Sequence, residues 1–215
     1  MALFDCDGLL VATEKLFTVA ETEIFARRGR TFEPKHKQEI LGQPILEVGR
    51  RMAVMLGVPG QGDVMADELL ARMEELVSMP MDPLPGVDAL IDWCAGRAAK
   101  VVVSNSPRRL VEATLRSARL DGRLDAVITV EEAARPKPSP DLYLRAVAAV
   151  GADPQDCVAF EDSPTGVRAA QAAGVRVIGV PSHAGADIGA DWHVSSLDHP
   201  EARDLVTCLF SSQSL

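Results

Sequence analysis

The stretch ALFDCDGLL, residues 2–10, decides how this chain folds and where its chemistry lies. An apolar run leads into Asp5 and Asp7, and Gly8 follows directly. Because side chains alternate along an extended chain, the two acids point to one side and the residue between them points to the other. Gly8 permits a sharp exit and a close approach of the backbone to a ligand. We therefore expect a buried strand over residues 2–5 that ends in a functional pair of carboxylates.

Short apolar runs alternate with helical patterns over most of the chain, which predicts a Rossmann-like α/β core with a parallel sheet and helices on both faces. The strands are predicted at residues 2–5, 100–105, 126–129, 157–161, 175–180 and 192–194. The helices of this part are predicted near residues 87–95, 107–118, 140–150 and 164–173. Ligands of such sheets bind outside the carboxyl ends of the strands, so function is expected there.

One region departs from this alternation. Between residues 14 and 79 only helical periods occur, such as EKLFTVAETEIFARRG (residues 14–29) and GDVMADELLARMEELVSM (residues 62–79). An all-helical insert directly after the first strand predicts a cap domain over the carboxyl end of the sheet. We expect a core domain of residues 1–13 and 80–215 and a helical cap domain of residues 14–79.

Composition narrows the class of protein. The 215 residues are 47% hydrophobic, enough for a sizeable core, and no run approaches the roughly 18 apolar residues of a membrane span. A net charge of −9 and a pI near 4.9 argue against nucleic acid or an anionic membrane as partner. We expect a cytoplasmic monomer. Its scattered cysteines are expected to be buried, reduced thiols: Cys6, Cys94, Cys157 and Cys208.

Polar residues stand at the ends of four predicted strands or in the loops after them. They are Asp5 and Asp7, then Ser104 and Asn105, then Lys137, and finally Glu161 and Asp162. Taken singly, each has an ordinary explanation as a turn former, a helix cap or a solvated charge. Their occurrence together, each at a strand end, favours one shared site.

The residue types indicate the chemistry of that site. Carboxylates from different strands, such as Asp5 and Asp162, would repel unless a cation lay between them, and hard oxygen ligands favour Mg²⁺. Ser104 supplies a hydroxyl, Ser106 is a candidate N-cap for the next helix, and Lys137 offsets crowded carboxylates and phosphate oxygens. Such a set predicts phosphoryl transfer through an aspartyl-phosphate.

Four motifs resemble those of the haloacid dehalogenase superfamily of phosphohydrolases, in the branch similar to β-phosphoglucomutase and phosphoglycolate phosphatase. The motifs are FDCDGLL (residues 4–10), VVVSNSP (residues 101–107), KPSPDLY (residues 137–143) and FEDSPTGVRAAQAAGVRVIGV (residues 160–180). The last is the most specific, and the resemblance covers essentially the whole chain.

The resemblance implies roles for the first three motifs. Asp5 would be the nucleophile, and Asp7 the general acid and base whose backbone carbonyl also ligates Mg²⁺. Ser104 would bind the transferring phosphoryl group, and Lys137 would pair with the nucleophile and the phosphate. Because Asp7 is present, the dehalogenase and phosphonate-cleaving chemistries of the superfamily are not expected.

The remaining site residues complete the expectation. By the same resemblance Asp162 would be a metal ligand, and Glu161 a direct or water-mediated one. Gly8 and Asn105 are assigned to phosphate binding, alongside Ser104 and Lys137. The candidate substrate contacts on the cap side are Thr13, Glu14, Lys15 and Gln43.

Some positions depart from the family pattern. Ala12 stands where an acid is usual, Phe17 where a mutase would have His, and Gln43 to Ile45 where the mutases carry a cation. We therefore expect a Mg²⁺-dependent phosphatase for a small phosphorylated metabolite, a sugar phosphate or sugar-acid phosphate. A phosphosugar mutase and a catalytically silent binding relative are the alternatives.

Overall fold

The computed structural model describes residues 1–181 and 186–211 and, within them, shows one parallel sheet. Its strands are β1 (Ala2–Phe4), β2 (Lys100–Val103), β3 (Ala126–Ile128), β4 (Val158–Glu161), β5 (Arg176–Gly179) and β6 (Trp192–His193). They lie in the order β3-β2-β1-β4-β5-β6, and every neighbouring pair is parallel. The predicted α/β fold class is confirmed, and each strand ends within two residues of its predicted bound.

The central strands are buried on both faces because alternate side chains enter two different clusters. Phe4 packs with residues of α5 (Val87–Cys94), α6 (Arg108–Ser117) and α9 (Pro200–Ser211). Leu3 packs on the opposite face. There it meets residues of α7 (Asp141–Ala149) and α8 (Pro164–Ala172). The sheet is thus covered by helices on both faces.

Helix α9 was not predicted from the sequence. It presents Ala202, Val206 and Leu209 to the sheet, whereas much of its remaining surface is exposed. Only a narrow stripe of apolar residues on α9 faces the core, and such a stripe predicts a helix only weakly from the sequence. The sequence also predicts a frayed C-terminal tail, SSQSL (residues 211–215), and residues 212–215 of it lie outside the described residues.

The segment of residues 14–79, the helical insert, has its own apolar cluster. Its helices are α1 (Glu14–Ala26), α2 (Pro34–Ile40), α3 (Ile45–Met55) and α4 (Gly62–Leu76). Helices α3 and α4 approach so closely that a Cβ on Gly49 would lie 2.5 Å from the Ala66 nitrogen and the Gly62 oxygen. Leu110 of α6 joins the cluster, so the insert packs against the sheet-covering helices. Its status as a separate domain stays a prediction.

The two connections to the insert run side by side. Val11 pairs with Pro83 in an antiparallel bridge, and the Leu84 amide donates to the Leu10 carbonyl at 2.9 Å. Both ends of the insert therefore leave the core beside the carboxyl end of β1.

Two sequence expectations concern cysteines and membranes. Cys6, Cys94 and Cys157 are buried as predicted, but Cys208 is exposed because it lies on the outer side of α9, so the prediction was wrong for this residue.

Within residues 1–181 and 186–211, no helix is long and apolar enough to cross a membrane.

Candidate active site

The strand-end residues come together because β1 lies between β2 and β4. Asp5 follows β1, Ser104 follows β2, and Glu161 and Asp162 stand at the end of β4. Lys137 reaches the same edge from the loop that precedes α7. These residues, together with Asp7, form what we call the floor of the site.

Lys137 links the floor electrostatically. Its ammonium group donates hydrogen bonds to Asp5 Oδ1 at 2.6 Å, to Glu161 Oε1 at 2.6 Å and to the Val103 carbonyl at 2.7 Å. Its side chain is only 3% exposed. Burial opposes its charge, but Asp5 and Glu161 outweigh that effect and raise the pKa of Lys137 above its usual range. Lys137 is therefore a fixed cation beside the predicted nucleophile.

Glu161 is held by residues to which the sequence had assigned no role. The Tyr143 hydroxyl donates to Glu161 Oε1 at 2.6 Å, and both side chains are fully buried. A Cβ on Gly166 would lie 1.9 Å from Glu161 Oε2, so only glycine leaves room for this carboxylate. Both residues occur in motifs singled out above, Tyr143 in KPSPDLY and Gly166 in FEDSPTGVRAA. The motifs alone did not show that these two residues meet one carboxylate.

Three floor carboxylates, Asp5, Glu161 and Asp162, are crowded together. Each is buried, and one oxygen from each lies within 4.8 Å of the others. Burial raises the pKa of Asp5 to about 8, although Lys137 opposes this rise. Burial, and then the charges of Asp5 and Glu161, raise the pKa of Asp162 well above its usual range. An all-oxygen set of buried acids that disfavour one another's charge fits a hard divalent cation.

Gly8 makes this crowding possible. Its φ is +85°, a left-handed conformation that favours glycine, and a Cβ there would lie 2.2 Å from Asp162 Oδ2. The glycine that the sequence assigned to close approach of a ligand therefore also gives space to a predicted metal ligand.

Asp7 is surrounded by hydroxyl donors. Thr13 Oγ1 donates to Asp7 Oδ1 at 2.8 Å, while Ser106 Oγ and Ser104 Oγ lie 2.7 and 3.3 Å from Asp7 Oδ2. The expectation that Ser106 caps the next helix was wrong: α6 begins at Arg108 with Pro107 before it. Because the Ser106 hydroxyl is used at Asp7, three hydroxyl donors from two segments of the chain fix the orientation of this carboxylate.

Asn105 also has a defined structural task. Its Oδ1 accepts from the Lys137 amide at 2.8 Å, and its Nδ2 donates to the Lys137 carbonyl at 3.2 Å. Both ends of the side-chain amide therefore hold the loop that carries Lys137. The assignment of Asn105 to phosphate binding stays a prediction.

A cavity of about 420 Å³ separates the floor from the helical insert. Of the four candidate substrate contacts, Glu14 and Gln43 line it. Thr13 is buried and bonded to Asp7, and Lys15 is exposed outside the lining. The insert therefore forms a roof over the site, and α1 contributes to it.

Three charged residues of the roof form a cluster that the sequence reading did not identify. Lys37 Nζ lies 3.1 Å from both carboxylate oxygens of Glu21 and 3.3 Å from Glu14 Oε2. We call Glu14, Lys37 and Glu21 the roof triad, and all three line the cavity. Burial raises the pKa of Glu21, and Lys37 opposes this rise. Glu14 and Glu21 are seven residues apart, which is two helical turns, so the sequence could have shown that both lie on one face of α1.

Comparison with known proteins agrees with this geometry. The family model described as haloacid dehalogenase-like hydrolase matches residues 2–180. Hexitol phosphatase B of Escherichia coli (strain K12) is 32% identical over 214 residues, covering 95% of this chain and 96% of that protein. The structure of CbbY from Rhodobacter sphaeroides in complex with phosphate has a TM-score of 0.81 at 28% identity, covering 92% and 94% of the two chains.

A third similarity concerns the fold alone. The structure of β-phosphoglucomutase from Clostridium difficile has a TM-score of 0.84 at 18% identity, covering 98% of this chain and 96% of that one. The arrangement of sheet and helical insert thus recurs in proteins of low sequence similarity.

Proposed function

The chain belongs to the haloacid dehalogenase-like hydrolases and is a phosphoric monoester hydrolase, and we propose that it is a Mg²⁺-dependent phosphatase for sugar phosphates or sugar-acid phosphates. One observation carries this proposal. Asp5, Asp7, Ser104, Lys137 and Asp162 line one cavity at the carboxyl edge of the sheet. These residues supply a nucleophile, a proton-transfer group, a phosphate donor, a fixed cation and a carboxylate for a metal.

In the first step, a carboxylate oxygen of Asp5 attacks phosphorus, and the bond from phosphorus to the leaving oxygen breaks. Asp7 in its protonated form gives its proton to that oxygen, so the product leaves as a neutral alcohol. Lys137, fixed at 2.6 Å from Asp5 Oδ1, stabilises the negative charge around the reacting group. The result is an aspartyl-phosphate on Asp5.

In the second step, water attacks the same phosphorus and the bond to Asp5 breaks. Asp7, now a carboxylate, accepts the proton of the water, and inorganic phosphate leaves. The hydroxyl contacts from Thr13 and Ser106 hold Asp7 in one orientation for both transfers. One group can thus act as acid and then as base.

Mg²⁺ fits the crowded acids, with Asp5, Asp162 and Glu161 as the side chains that would hold it. The resemblance adds the backbone carbonyl of Asp7 to this set. When bound, the ion neutralises charge on the phosphoryl oxygens and on the crowded carboxylates. Glu161 already accepts hydrogen bonds from Lys137 and Tyr143, so it also positions the fixed cation.

The charges on the insert side of the cavity favour hydrolysis of the aspartyl-phosphate over transfer of its phosphoryl group back to a sugar. A mutase must hold the far end of a phosphorylated sugar while it turns over, which calls for fixed cations in the cap. Lys37 is occupied by Glu14 and Glu21, whereas Arg50 and Arg51 pair with Glu47 outside the cavity lining.

The relatives support the substrate class, since a hexitol phosphatase is similar over nearly the full chain.

The insert is proposed as a cap domain whose two adjacent connections form a hinge. Closure of this cap would exclude bulk water from the aspartyl-phosphate. The monomeric state and the cytoplasmic location stay predictions from the sequence.

The test is turnover of an aryl phosphate with and without Mg²⁺, followed by a screen of phosphorylated metabolites. We expect hydrolysis that vanishes with a chelator and returns when Mg²⁺ is added, and inhibition by Ca²⁺, whose larger and looser coordination shell disturbs in-line geometry. Full activity after exhaustive chelation would contradict the metal assignment. Absence of any phosphate release under all these conditions would contradict the enzyme assignment and favour a silent relative.

A further inference from the structure

The charges that line the cavity away from the floor are unevenly balanced. Glu14, Glu21 and Asp187 contribute three carboxylates, whereas Lys37 and Arg168 contribute two cations. The opposite arrangement, with surplus cations, would be needed to attract a substrate that carries a second negative group at its far end.

The single cation of the roof triad is already engaged. Lys37 lies 3.1 Å from Glu21 and 3.3 Å from Glu14, so two carboxylates share one ammonium group. A substrate anion that took Lys37 as its partner would meet both of these carboxylates. Glu21 is only 2% exposed and could not turn toward water to relieve the repulsion.

Glu14 places one of these charges close to the floor. Its Cγ lies 3.7 Å from the position that a Cβ on Gly8 would occupy, and its Oε2 meets Lys37. A substrate that extends from Asp5 toward the insert must therefore pass beside Glu14. Carboxylates and the Gln43 amide accept hydrogen bonds from hydroxyl groups, so this path suits a polyhydroxylated chain.

We propose that the roof triad restricts this enzyme to monophosphates whose remaining groups are uncharged hydroxyls, and that it discriminates against phosphorylated acids and bisphosphates. This inference rests on the proposed function and narrows it, since sugar phosphates and sugar-acid phosphates were both open. Discrimination arises from repulsion of the wrong substrate as much as from contacts to the right one.

The competing possibility is Arg168, an exposed residue of α8 that lines the cavity and has no ion pair among the described residues. If it bound a carboxylate at the far end of the substrate, acids would be preferred. The experiment below therefore includes a variant of this residue.

The test compares sorbitol 6-phosphate with 6-phosphogluconate, which share a six-carbon chain and hydroxyl configuration and differ only in an alcohol or a carboxylate at C1. We expect kcat/KM to favour sorbitol 6-phosphate by roughly 30-fold or more. For a compound that is not hydrolysed, competitive inhibition of aryl phosphate hydrolysis gives its affinity instead. Glu14→Gln should reduce the ratio about 5- to 10-fold, because it removes one carboxylate and leaves Lys37 paired with Glu21.

The matched control is Glu23→Gln. Glu23 lies on the same helix and loses the same charge, but it pairs with Arg72 at 2.7 Å and does not line the cavity. The ratio should stay within about 2-fold of the wild type, as distant surface charges are screened. A ratio that changes equally in both variants would overturn the assignment to the roof triad.

The outcomes separate the two proposals. If the wild type does not hydrolyse the aryl phosphate, the proposed function is contradicted. If it hydrolyses the aryl phosphate and uses 6-phosphogluconate as well as or better than sorbitol 6-phosphate, only the inference is contradicted. If Arg168→Gln abolishes a preference for the acid, Arg168 and not the roof triad determines specificity. Preference for sorbitol 6-phosphate that weakens in Glu14→Gln and persists in Arg168→Gln supports the roof triad.

Discussion

The floor and the roof of the cavity each contain one lysine between two carboxylates, but they differ in construction. On the floor, Lys137 joins Asp5 and Glu161, which stand at the ends of different strands, and the lysine side chain is 3% exposed. On the roof, Lys37 joins two acids of a single helix, α1, and is 21% exposed. A buried cluster drawn from separate strands fixes a geometry, whereas a partly exposed cluster that joins two neighbouring helices of the insert, α1 and α2, can change with less effect on the rest. The chemistry is therefore expected to depend on the floor and the selectivity on the roof.

The largest effect should come from the nucleophile of the floor. Asp5→Asn preserves the shape of the side chain but removes the attacking carboxylate, so kcat for an aryl phosphate should fall by about 10⁴ or more. Steady-state phosphate release measures this loss. Near-normal thermal unfolding should accompany it, because removing one of three crowded carboxylates relieves repulsion. Activity above about a tenth of the wild type would refute the mechanism.

The two lysines offer the sharpest comparison. Lys137→Met should lower kcat by roughly 10³ and the free energy of unfolding by about 3 kcal/mol, because Asp5 and Glu161 lose a buried partner. Lys37→Met should lower the free energy of unfolding by about 1–2 kcal/mol, because the pair with Glu14 is partly solvated although Glu21 is buried, and should lower aryl phosphate turnover less than about 10-fold. Denaturant unfolding and phosphate release give both quantities. Equal losses at the two positions would remove the distinction between floor and roof.

Two glycines test the same distinction through packing. Gly166→Ala places a Cβ 1.9 Å from Glu161 Oε2, so the carboxylate must move, and we expect a 10- to 100-fold loss of kcat on the scale of a displaced catalytic group. Gly49→Ala would push α3 away from α4 inside the helical insert and should lower the free energy of unfolding by about 1–3 kcal/mol.

The readouts of the glycine pair are aryl phosphate turnover and thermal unfolding of both variants. Gly49→Ala should keep more than about a tenth of the turnover, because the atoms nearest to the added Cβ belong to Gly62 and Ala66 of α4 and not to the floor. If Gly49→Ala proved the more inactive of the two, the insert would be part of the catalytic geometry and not only of the roof.

The smallest effect is expected at Ser106, which contacts the floor through Asp7. Ser106→Ala removes the 2.7 Å hydrogen bond to Asp7 but leaves those from Thr13 and Ser104, so kcat should fall about 3- to 10-fold. Ser106→Thr, which keeps a hydroxyl, is the matched control and should recover part of the loss. A change in KM alone, with kcat preserved, would show that Ser106 contacts substrate and does not position Asp7.

The sequence by itself determined the sheet and the residues of the floor. Apolar runs that end in Asp5, Ser104 or Glu161 are local signals, and parallel strands place their carboxyl ends at one edge. The helical insert could also be predicted, since apolar residues recur at helical spacing from residue 14 to residue 79. These features follow from side-chain spacing along the chain, which requires no knowledge of distant contacts.

Only the tertiary structure decided which polar groups meet. Tyr143 lies 18 residues before Glu161 in the sequence and Gly166 lies five residues after it, and only the packing shows that both shape the position of its carboxylate. Ser106 was expected to cap a helix because the local pattern allows it, and it binds Asp7 instead. Lys37 lies 23 and 16 residues from its partners Glu14 and Glu21. Such pairings depend on how helices and loops pack, and a carboxylate takes whichever donor that packing brings within reach.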